Sequence, residues 1–225
     1  MNANSKRRLK DHLYEQFERL GKALASRRRL ELLDVLAQGE RPVEALAEAS
    51  GMTVANASQH LQVLRRARLV ETRPEGTHVY YRLADEGVFR LWQALRDVGQ
   101  AHLAEVDRLA RDYLDDRDGL EPVRMRELLG RLRAEDVVVL DVRPPEEYAS
   151  GHVAGARSVP LDELEARLAE IPESADVIAY CRGPYCVFAA EAVGRLRHRG
   201  RRARRLDLGF PDWKAAGYPV EVGAA

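Results

Sequence analysis

The chain has little cysteine, no long apolar segment and no net charge. Its 225 residues include only two cysteines, and 36 basic residues balance 36 acidic ones. The longest aliphatic run, VVVL at residues 137–140, is far too short to cross a bilayer. The first residues, MNANSKRRLKDHLYEQ, carry charge but lead into no apolar stretch, so no signal peptide is expected. We therefore expect a cytoplasmic protein with no membrane partner, in a compartment that keeps thiols reduced.

The balanced charge conceals an asymmetry between the two ends of the chain. Residues 1–85 carry 15 Lys or Arg and 11 Asp or Glu, a net charge of +4, whereas the rest carry 21 and 25, a net charge of −4. The length and a hydrophobic content of 45% allow two packed domains. A basic part followed by an acidic part suggests two units with different partners.

The basic part has the pattern of a helix-turn-helix. Apolar residues at helical spacing predict helices that end at Gly39, and PVEALAEASG predicts a short helix with Pro42 near its start and Gly51 at its end. The segment TVANASQHLQVLRRARLV predicts a third helix that follows a tight turn. Its predicted buried stripe consists of Val54, Ala57, Leu61 and Leu64.

The polar start of this third helix is predicted to enter the major groove of DNA, where Asn and Gln amides pair with adenine. The next segment, LVETRPEGTHVYYRLAD, predicts a β-hairpin with its turn at PEGT, which forms a wing whose basic flanks suit phosphate or the minor groove. Ser58 and His60 suit DNA contact and helix support equally well. The predicted DNA-binding residues are Thr53, Asn56, Ser58, Gln59, His60, Arg66, Arg73 and His78.

Three segments, LASRRRLELLDVL, GMTVANASQHLQVLRRARLV and EGTHVYYRL, resemble the ArsR-type winged-helix repressors of bacteria. The resemblance covers about the first 110 residues and implies a homodimer on a pseudo-palindromic operator. We expect the pairing surface on the N-terminal helix and on a helix at residues 88–109, where apolar residues have the spacing of a seam. That stripe consists of Val88, Leu91, Leu95, Val98, Val106 and Leu109.

Many repressors of this type sense metals through a cysteine pair at the start of the helix that precedes the DNA-reading helix, or through acidic and histidine residues on the last helix. Here the corresponding segment, RPVEALAEAS, has no cysteine, and the last helix offers only Asp97, His102 and Glu105. Since His102 lies near the apolar seam, a packed interface residue is the preferred interpretation. We predict no metal site and no cofactor, so the input signal must come from another part of the chain.

After the polar segment YLDDRDGLEP, strand and helix patterns alternate. The strands are predicted at DVVVLDV and DVIAYC, and the helices at MRELLGRL, PEEYAS, LDELEARLAEI and VFAAEAVGRLRHRG. This alternation predicts an α/β domain with a parallel sheet covered on both faces. We place a DNA-binding and dimerisation domain at residues 1–114, a linker at residues 115–122 and the α/β domain at residues 123–222.

In such sheets the chemistry lies beyond the carboxyl ends of the strands. Asp141 and Arg143 end one predicted strand and Cys181 ends another, so we expect them at one crevice. The loop CRGPYC, from Cys181 to Cys186, leads directly into a helix, whose terminus and amides lower the pKa of a thiol placed there. Such a thiolate is a nucleophile. The alternative is that Cys181 is a small buried core residue.

The segments VLDVRPPEEYASGHVAGARSVPLDEL, YCRGPYC and LDLGFPDWKAAGYPV resemble the single-domain rhodaneses, which are sulfurtransferases. The resemblance implies a persulfide carrier at Cys181, support of its loop by Asp141 and Arg143, and a structural role for His152. Active rhodaneses commonly carry a basic residue where this chain has Cys186, so efficient thiosulfate turnover is not expected. Arg182 retains part of the positive charge.

These observations predict a DNA-binding regulator, a repressor, that senses reactive sulfur, redox state or a soft thiophile such as trivalent arsenic. Cys181 is the reactive thiol and Cys186 its resolving partner. One alternative is a sulfurtransferase with a persulfide on Cys181, whose DNA-binding domain regulates its own operon. Another is an inert rhodanese fold that only positions the dimer.

Overall fold

A computed structural model gives the fold and describes residues 3–110, 112, 122–134 and 136–223. Contacts divide the chain into two compact units, Met1–Trp92 and Gln93–Ala225. The predicted linker at residues 115–122 lies outside the described residues, apart from Pro122.

The first unit is a helix-turn-helix followed by a β-hairpin. Three short strands form an antiparallel sheet in the order β1-β3-β2, in which Pro42 pairs with Tyr80. The last helix, α5, begins in this unit and ends in the second. The elements are α1 (Ala3–Leu24), α2 (Arg27–Leu36), β1 (Arg41–Pro42), α3 (Val43–Ala49), α4 (Val54–Arg66), β2 (Val70–Glu75), β3 (His78–Leu83) and α5 (Glu86–His102).

Helix α4 packs on the core of this unit through the residues that the sequence predicts, with one exception. Ala57, Leu61 and Leu64 are fully buried, whereas Val54 is 46% exposed, so its assignment to the buried stripe is wrong. Val54 is the first residue of α4, and the core lies against the later turns of the helix. Burial of Leu61 and Leu64 contributes roughly 1.5–3 kcal/mol each.

The second unit contains a four-stranded parallel sheet in the order β6-β4-β7-β8 and a separate antiparallel pair, β5 with β9. Its elements after α5 are α6 (Ala104–Ala110), α7 (Met125–Ala134), β4 (Val138–Asp141), α8 (Pro145–Ser150), β5 (His152–Val153), β6 (Arg157–Ser158), β7 (Asp176–Tyr180), α9 (Val187–His198), β8 (Arg202–Arg205), α10 (Phe210–Ala215) and β9 (Val220–Glu221).

The helix predicted at LDELEARLAEI is wrong. The segment forms turns and only a short 3-10 helix at Leu168–Glu170. Arginines from elsewhere in the unit bind its carbonyl groups: Arg195 donates to the carbonyl of Leu161 at 3.1 Å, and Arg157 to that of Glu170 at 3.0 Å. The local helix propensity is high, but propensity is a weak determinant that tertiary context overrides, here through these bonds among others.

Both faces of the parallel sheet are covered, as predicted. Because successive strand residues point to opposite faces, Val177 and Ala179 enter one core, whereas Ile178 and Tyr180 enter the other. Helix α9 contributes to the first core, and α7 and α10 to the second. Trp213 on α10 is fully buried there. The last residue of β7, Tyr180, therefore lies in the second core, and Cys181 directly after it lies in the first.

Candidate functional sites

The turn before α4 and the cap of α4 set the position of its polar start. Gly51 has a φ of +58°, a conformation that favours glycine, and turns the chain between α3 and α4. The hydroxyl oxygen of Thr53 accepts a hydrogen bond from the backbone amide of Asn56 at 3.3 Å and so caps the helix. Thr53 therefore has a structural role in addition to its predicted place at DNA.

The structure brings only some of the predicted base-reading residues together. With 3.6 residues per turn, Asn56, Gln59 and His60 fall on one sector of α4, and Asn56 and Gln59 are exposed. Ser58 is half-buried and falls on another side of the helix. Arg66 is exposed at the opposite end of α4, about 15 Å along the axis from Asn56.

The wing carries its predicted basic residues in ion pairs. Arg73 binds Glu40 at 3.0 Å and also Glu75, and its guanidinium lies 4.9 Å from the centre of the Tyr80 ring. Hydrogen bonds that Arg73 donates to Glu40 and then to Glu75 raise its pKa. His78 lies 3.7 Å from a carboxylate oxygen of Glu44. A phosphate would therefore have to compete with these carboxylates for both side chains.

The predicted pairing surface is mostly exposed. Val88, however, is buried in the core of the first unit, so its assignment to this seam is wrong; it lies in the first turn of α5, which packs on that core. The single helix predicted at residues 88–109 is also wrong, because α5 ends at His102 and α6 begins at Ala104. We call the exposed large apolar side chains the seam residues: Leu9, Leu13, Tyr14 and Phe17 on α1, Leu91, Leu95 and Val98 on α5, and Leu103 and Leu109 beyond it.

The two cysteines lie together at the carboxyl end of β7. Their sulfur atoms form a disulfide across the loop, and their Cα atoms are 6.2 Å apart. Cys181 is only 2% exposed and belongs to the core beneath α9. Cys186 is half-buried and immediately precedes α9, and its amide donates to the carbonyl of Gly183 at 3.1 Å. The loop is therefore a tight turn at the start of a helix.

A buried polar cluster supports the strand that carries Cys181. Arg143 donates to Asp141 at 2.9 Å and to the carbonyl of Gly151 at 2.7 Å, and both charged side chains are fully buried. The hydroxyl of Tyr180 donates to Asp141 at 2.6 Å and accepts from the Val153 amide at 3.0 Å. Burial, and then the charge of Asp141, raise the pKa of Tyr180 well above its ordinary value. Asp141 binds both Arg143 and Tyr180, so this pair supports Cys181 indirectly, through the residue that directly precedes it.

Arg182 is bound to a buried carboxylate. Its guanidinium donates to Glu147 at 2.9 Å, and Glu147, on α8, is fully buried. The pairing fixes the start of the cysteine loop. It also neutralises the positive charge that the sequence analysis considered for binding an anionic sulfur donor.

The segment before α10 packs directly against the loop. The Phe210 amide donates to the carbonyl of Cys181 at 3.1 Å, and a Cβ atom on Gly209 would come closer than 3.0 Å to the backbone of Arg182 and Gly183. Sequence reasoning did not find Gly209, Tyr180 or Glu147. The available signals were the position of Tyr180 next to Cys181 and the place of Glu147 and Gly209 within the segments that resemble rhodaneses.

Other centres and membrane spans are absent within the described ranges. No group of three His, Cys, Asp or Glu residues among them is suited to hold a metal ion. None of the helices in the described part of the chain is both long and apolar enough to span a membrane.

His152 is buried. Its ring stacks on that of Tyr148 with ring centres 3.6 Å apart, and its Nδ1 lies 2.9 Å from the backbone carbonyl oxygen of Tyr148.

Family models match both parts of the chain. The model described as bacterial regulatory protein, arsR family, matches residues 26–72, and the model described as rhodanese-like domain matches residues 125–216. These matches define a regulator with an ArsR-type helix-turn-helix and a C-terminal rhodanese-like domain.

One relative shares this organisation over nearly its whole length. The HTH-type transcriptional regulator Rv0324 of Mycobacterium tuberculosis is 49% identical over 212 residues, which cover 94% of this chain and 93% of the relative. The chain therefore belongs to the family of ArsR-type DNA-binding transcriptional regulators that carry a rhodanese-like domain.

Two further proteins resemble the separate parts. A protein of Allochromatium vinosum named sulfurtransferase is 34% identical over 86 residues, which cover 38% of this chain and 79% of that protein. The solution structure of the homodimeric winged helix-turn-helix DNA-binding domain Mb0332 of Mycobacterium bovis is 53% identical, with a TM-score of 0.40. The matched region covers 42% of this chain and 87% of the chain in the Mycobacterium bovis structure.

Proposed function

We propose that this regulator is a repressor whose affinity for its operator changes with the oxidation state of Cys181 and Cys186. The observation that carries the proposal is the position of the only two cysteines, which lie in one loop with Cα atoms 6.2 Å apart. That separation is within the usual range for a disulfide, so the pair can close and open. Cys186 stands where related sulfurtransferases commonly carry a basic residue, which exchanges a donor-binding charge for a second thiol.

The chemistry of the switch can be written for a polysulfide. The thiolate of Cys181 attacks one sulfur of HS–SH, breaks that S–S bond and releases HS⁻, which leaves a persulfide on Cys181. The thiolate of Cys186 then attacks the Cys181 sulfur and releases a second HS⁻. The two cysteines lose two electrons and two protons, and the polysulfide is reduced to two molecules of hydrogen sulfide. A peroxide acts through a sulfenic acid in the same way.

A soft ion is a second kind of input to the same pair. Two neighbouring thiolates suit trivalent arsenic, which prefers sulfur ligands. This input needs the reduced loop, whereas polysulfide and peroxide oxidise it. Since a reversible switch must be reduced again, we infer that the protein acts in the cytoplasm.

The DNA-binding part of the proposal rests on α4 and on the seam residues. Two chains paired through the seam residues would present two α4 helices to a two-fold symmetric operator, with half-sites roughly 34–36 Å apart. The seam residues are exposed in one chain, and pairing would remove their apolar surface from water. We assign DNA binding and dimerisation to residues 1–114 and sensing to residues 123–222.

The test compares operator affinity in two oxidation states. The full-length protein is bound to a labelled fragment of its own promoter, once with excess thiol and once after polysulfide treatment. We expect affinities that differ by roughly 5–150-fold, the usual range for allosteric coupling. Cys181→Ser should resist modification and keep one affinity under both conditions. Cys186→Ser should gain one sulfur atom on Cys181 and stop at the persulfide.

The same preparations distinguish the alternatives. Equal affinity of the reduced and the disulfide-bonded wild type, with the link verified by peptide mass, would refute redox sensing. The similarity to the Allochromatium sulfurtransferase supports enzyme activity as a second function. Steady-state turnover of thiosulfate with an acceptor would establish that function, and Cys181→Ser should abolish it. No turnover and no redox response would leave the rhodanese-like domain as an inert module.

A further inference from the structure

A buried ion pair joins α5 to the segment that holds the cysteine loop. The second unit begins at Gln93, so the last turns of α5 belong to it. Arg96 is 7% exposed and Asp212 is 1% exposed, and the guanidinium donates to both oxygens of that carboxylate. The amide of Gln93 donates to Asp212 as well, at 2.9 Å. Breaking a buried pair by removing one partner is costly, so the two charges keep each other in place.

Asp212 in turn holds the backbone that supports the loop. Its second carboxylate oxygen accepts from the Gly209 amide at 3.2 Å. The next amide, that of Phe210, donates to the carbonyl of Cys181 at 3.1 Å. A continuous set of hydrogen bonds and covalent links therefore leads from Arg96 through Asp212 to Cys181.

Arg96 also faces the loop directly. A Cβ atom on Gly183 would lie 3.9 Å from a guanidinium nitrogen of Arg96, which is ordinary contact distance. Tyr185 lies in the same surroundings: burial raises the pKa of its phenol, the charge of Arg96 lowers it, and Asp107 and Asp97 raise it. Gly183 thus lies beside Arg96 of α5, and Tyr185 lies within reach of the charge of Arg96.

We propose that Arg96 is the positioning residue through which the state of the cysteine loop reaches α5. The proposal rests on the switch described above and adds the route. Closing the disulfide restrains the path of Gly183 and Tyr185. Arg96 lies beside Gly183 and binds Asp212, which supports the loop. Leu95 and Val98 stand beside Arg96 on α5 and are seam residues, so a shift of Arg96 alters the surface proposed for pairing. The helix is continuous from Glu86, which lets it move as one element.

The test follows hydrogen exchange of the full-length protein by mass spectrometry, with thiol or after polysulfide closure of the disulfide. In the wild type, we expect closure to change the exchange rate of peptides from residues 93–102 by about tenfold. Arg96→Gln should abolish this change although its disulfide still forms, and Arg96→Lys should restore part of it because the charge is kept. Arg90→Gln is the matched control, since Arg90 is exposed on the same helix and pairs only locally with Glu86 at 2.8 Å.

The same variants are then assayed for operator binding, which separates the route from the switch. Loss of the exchange response and of the affinity difference in Arg96→Gln, with both retained in Arg90→Gln, supports both proposals. An exchange response that needs Arg96, without any affinity difference in the wild type, leaves the route standing and refutes the switch. An exchange response that persists in Arg96→Gln, or is absent from the wild type, overturns the route. If Arg96→Gln does not fold, Asp212→Asn takes its place, because it removes the carboxylate that Arg96 binds. Loss of the exchange response in Asp212→Asn supports the route, and a full wild-type response there overturns it.

Discussion

Replacing Gly209 with alanine should destabilise the second unit, because its backbone lies against the cysteine loop. The added Cβ would lie closer than 3.0 Å to the carbonyl oxygen and carbon of Arg182 and to the amide nitrogen of Gly183. All three are backbone atoms, so no side chain can rotate away. The loop is also held from the other side by the pairing of Arg182 with Glu147. Either the loop or the segment before α10 must move.

The magnitude follows from two terms. Overpacking of a well-packed interior costs about 1–3 kcal/mol. Movement of the segment also breaks the hydrogen bond from Phe210 to Cys181, which adds about 1 kcal/mol. Replacing glycine by alanine restricts the unfolded chain and returns about 0.4–1 kcal/mol. We therefore expect a net loss of about 1–3.5 kcal/mol in the free energy of unfolding.

The assay is urea unfolding of the reduced full-length protein, with pulsed hydrogen exchange of the β7 amides to report on the second unit. Gly130→Ala is the matched control, because Gly130 is exposed within α7 and a Cβ there meets no atom within 4 Å. That control should gain about 0.5–1 kcal/mol, since alanine is the better helix former. A Gly209→Ala protein within about 0.5 kcal/mol of the wild type would refute the argument from close approach.

Two further changes test the DNA surface and the buried cluster. Gln59→Ala should weaken specific operator binding by about 1–3 kcal/mol, because the exposed amide is expected to read a base edge. A competition assay measures the preference for operator over random DNA, and an unchanged preference would show that Gln59 does not read a base. Asp141→Asn should lower the free energy of unfolding by about 3–5 kcal/mol, because it leaves the fully buried Arg143 without this carboxylate. Asp162 is exposed, so Asp162→Asn is the control and should change the stability little. Equal urea midpoints for the two variants would contradict the assigned role of Asp141.

Much of the fold follows from local patterns that the sequence displays openly. Apolar spacing along α4, the turn at PEGT and the strand–helix alternation after residue 122 each depend on neighbours a few positions away. The cysteine loop also has a local signal, because a strand followed by a short glycine turn and then a helix keeps Cys181 and Cys186 close in space. The type of the two domains and the juxtaposition of the thiols were therefore predictable.

Tertiary structure decided which side chains face the core and which support the loop. Val54 and Val88 both fit an apolar period at the start of a helix. Val54 is nevertheless exposed, because the core lies against later turns of α4, whereas Val88 is buried, because the first turn of α5 packs on the core. Residues 161–171 have a helical pattern, yet arginines from other elements bind their carbonyls and hold them in turns. Arg96 and Asp212 are 116 positions apart, and no periodicity connects residues so distant. The tertiary structure places the start of α10 against the cysteine loop and brings Arg96 of α5 to Asp212, an arrangement that no local pattern encodes.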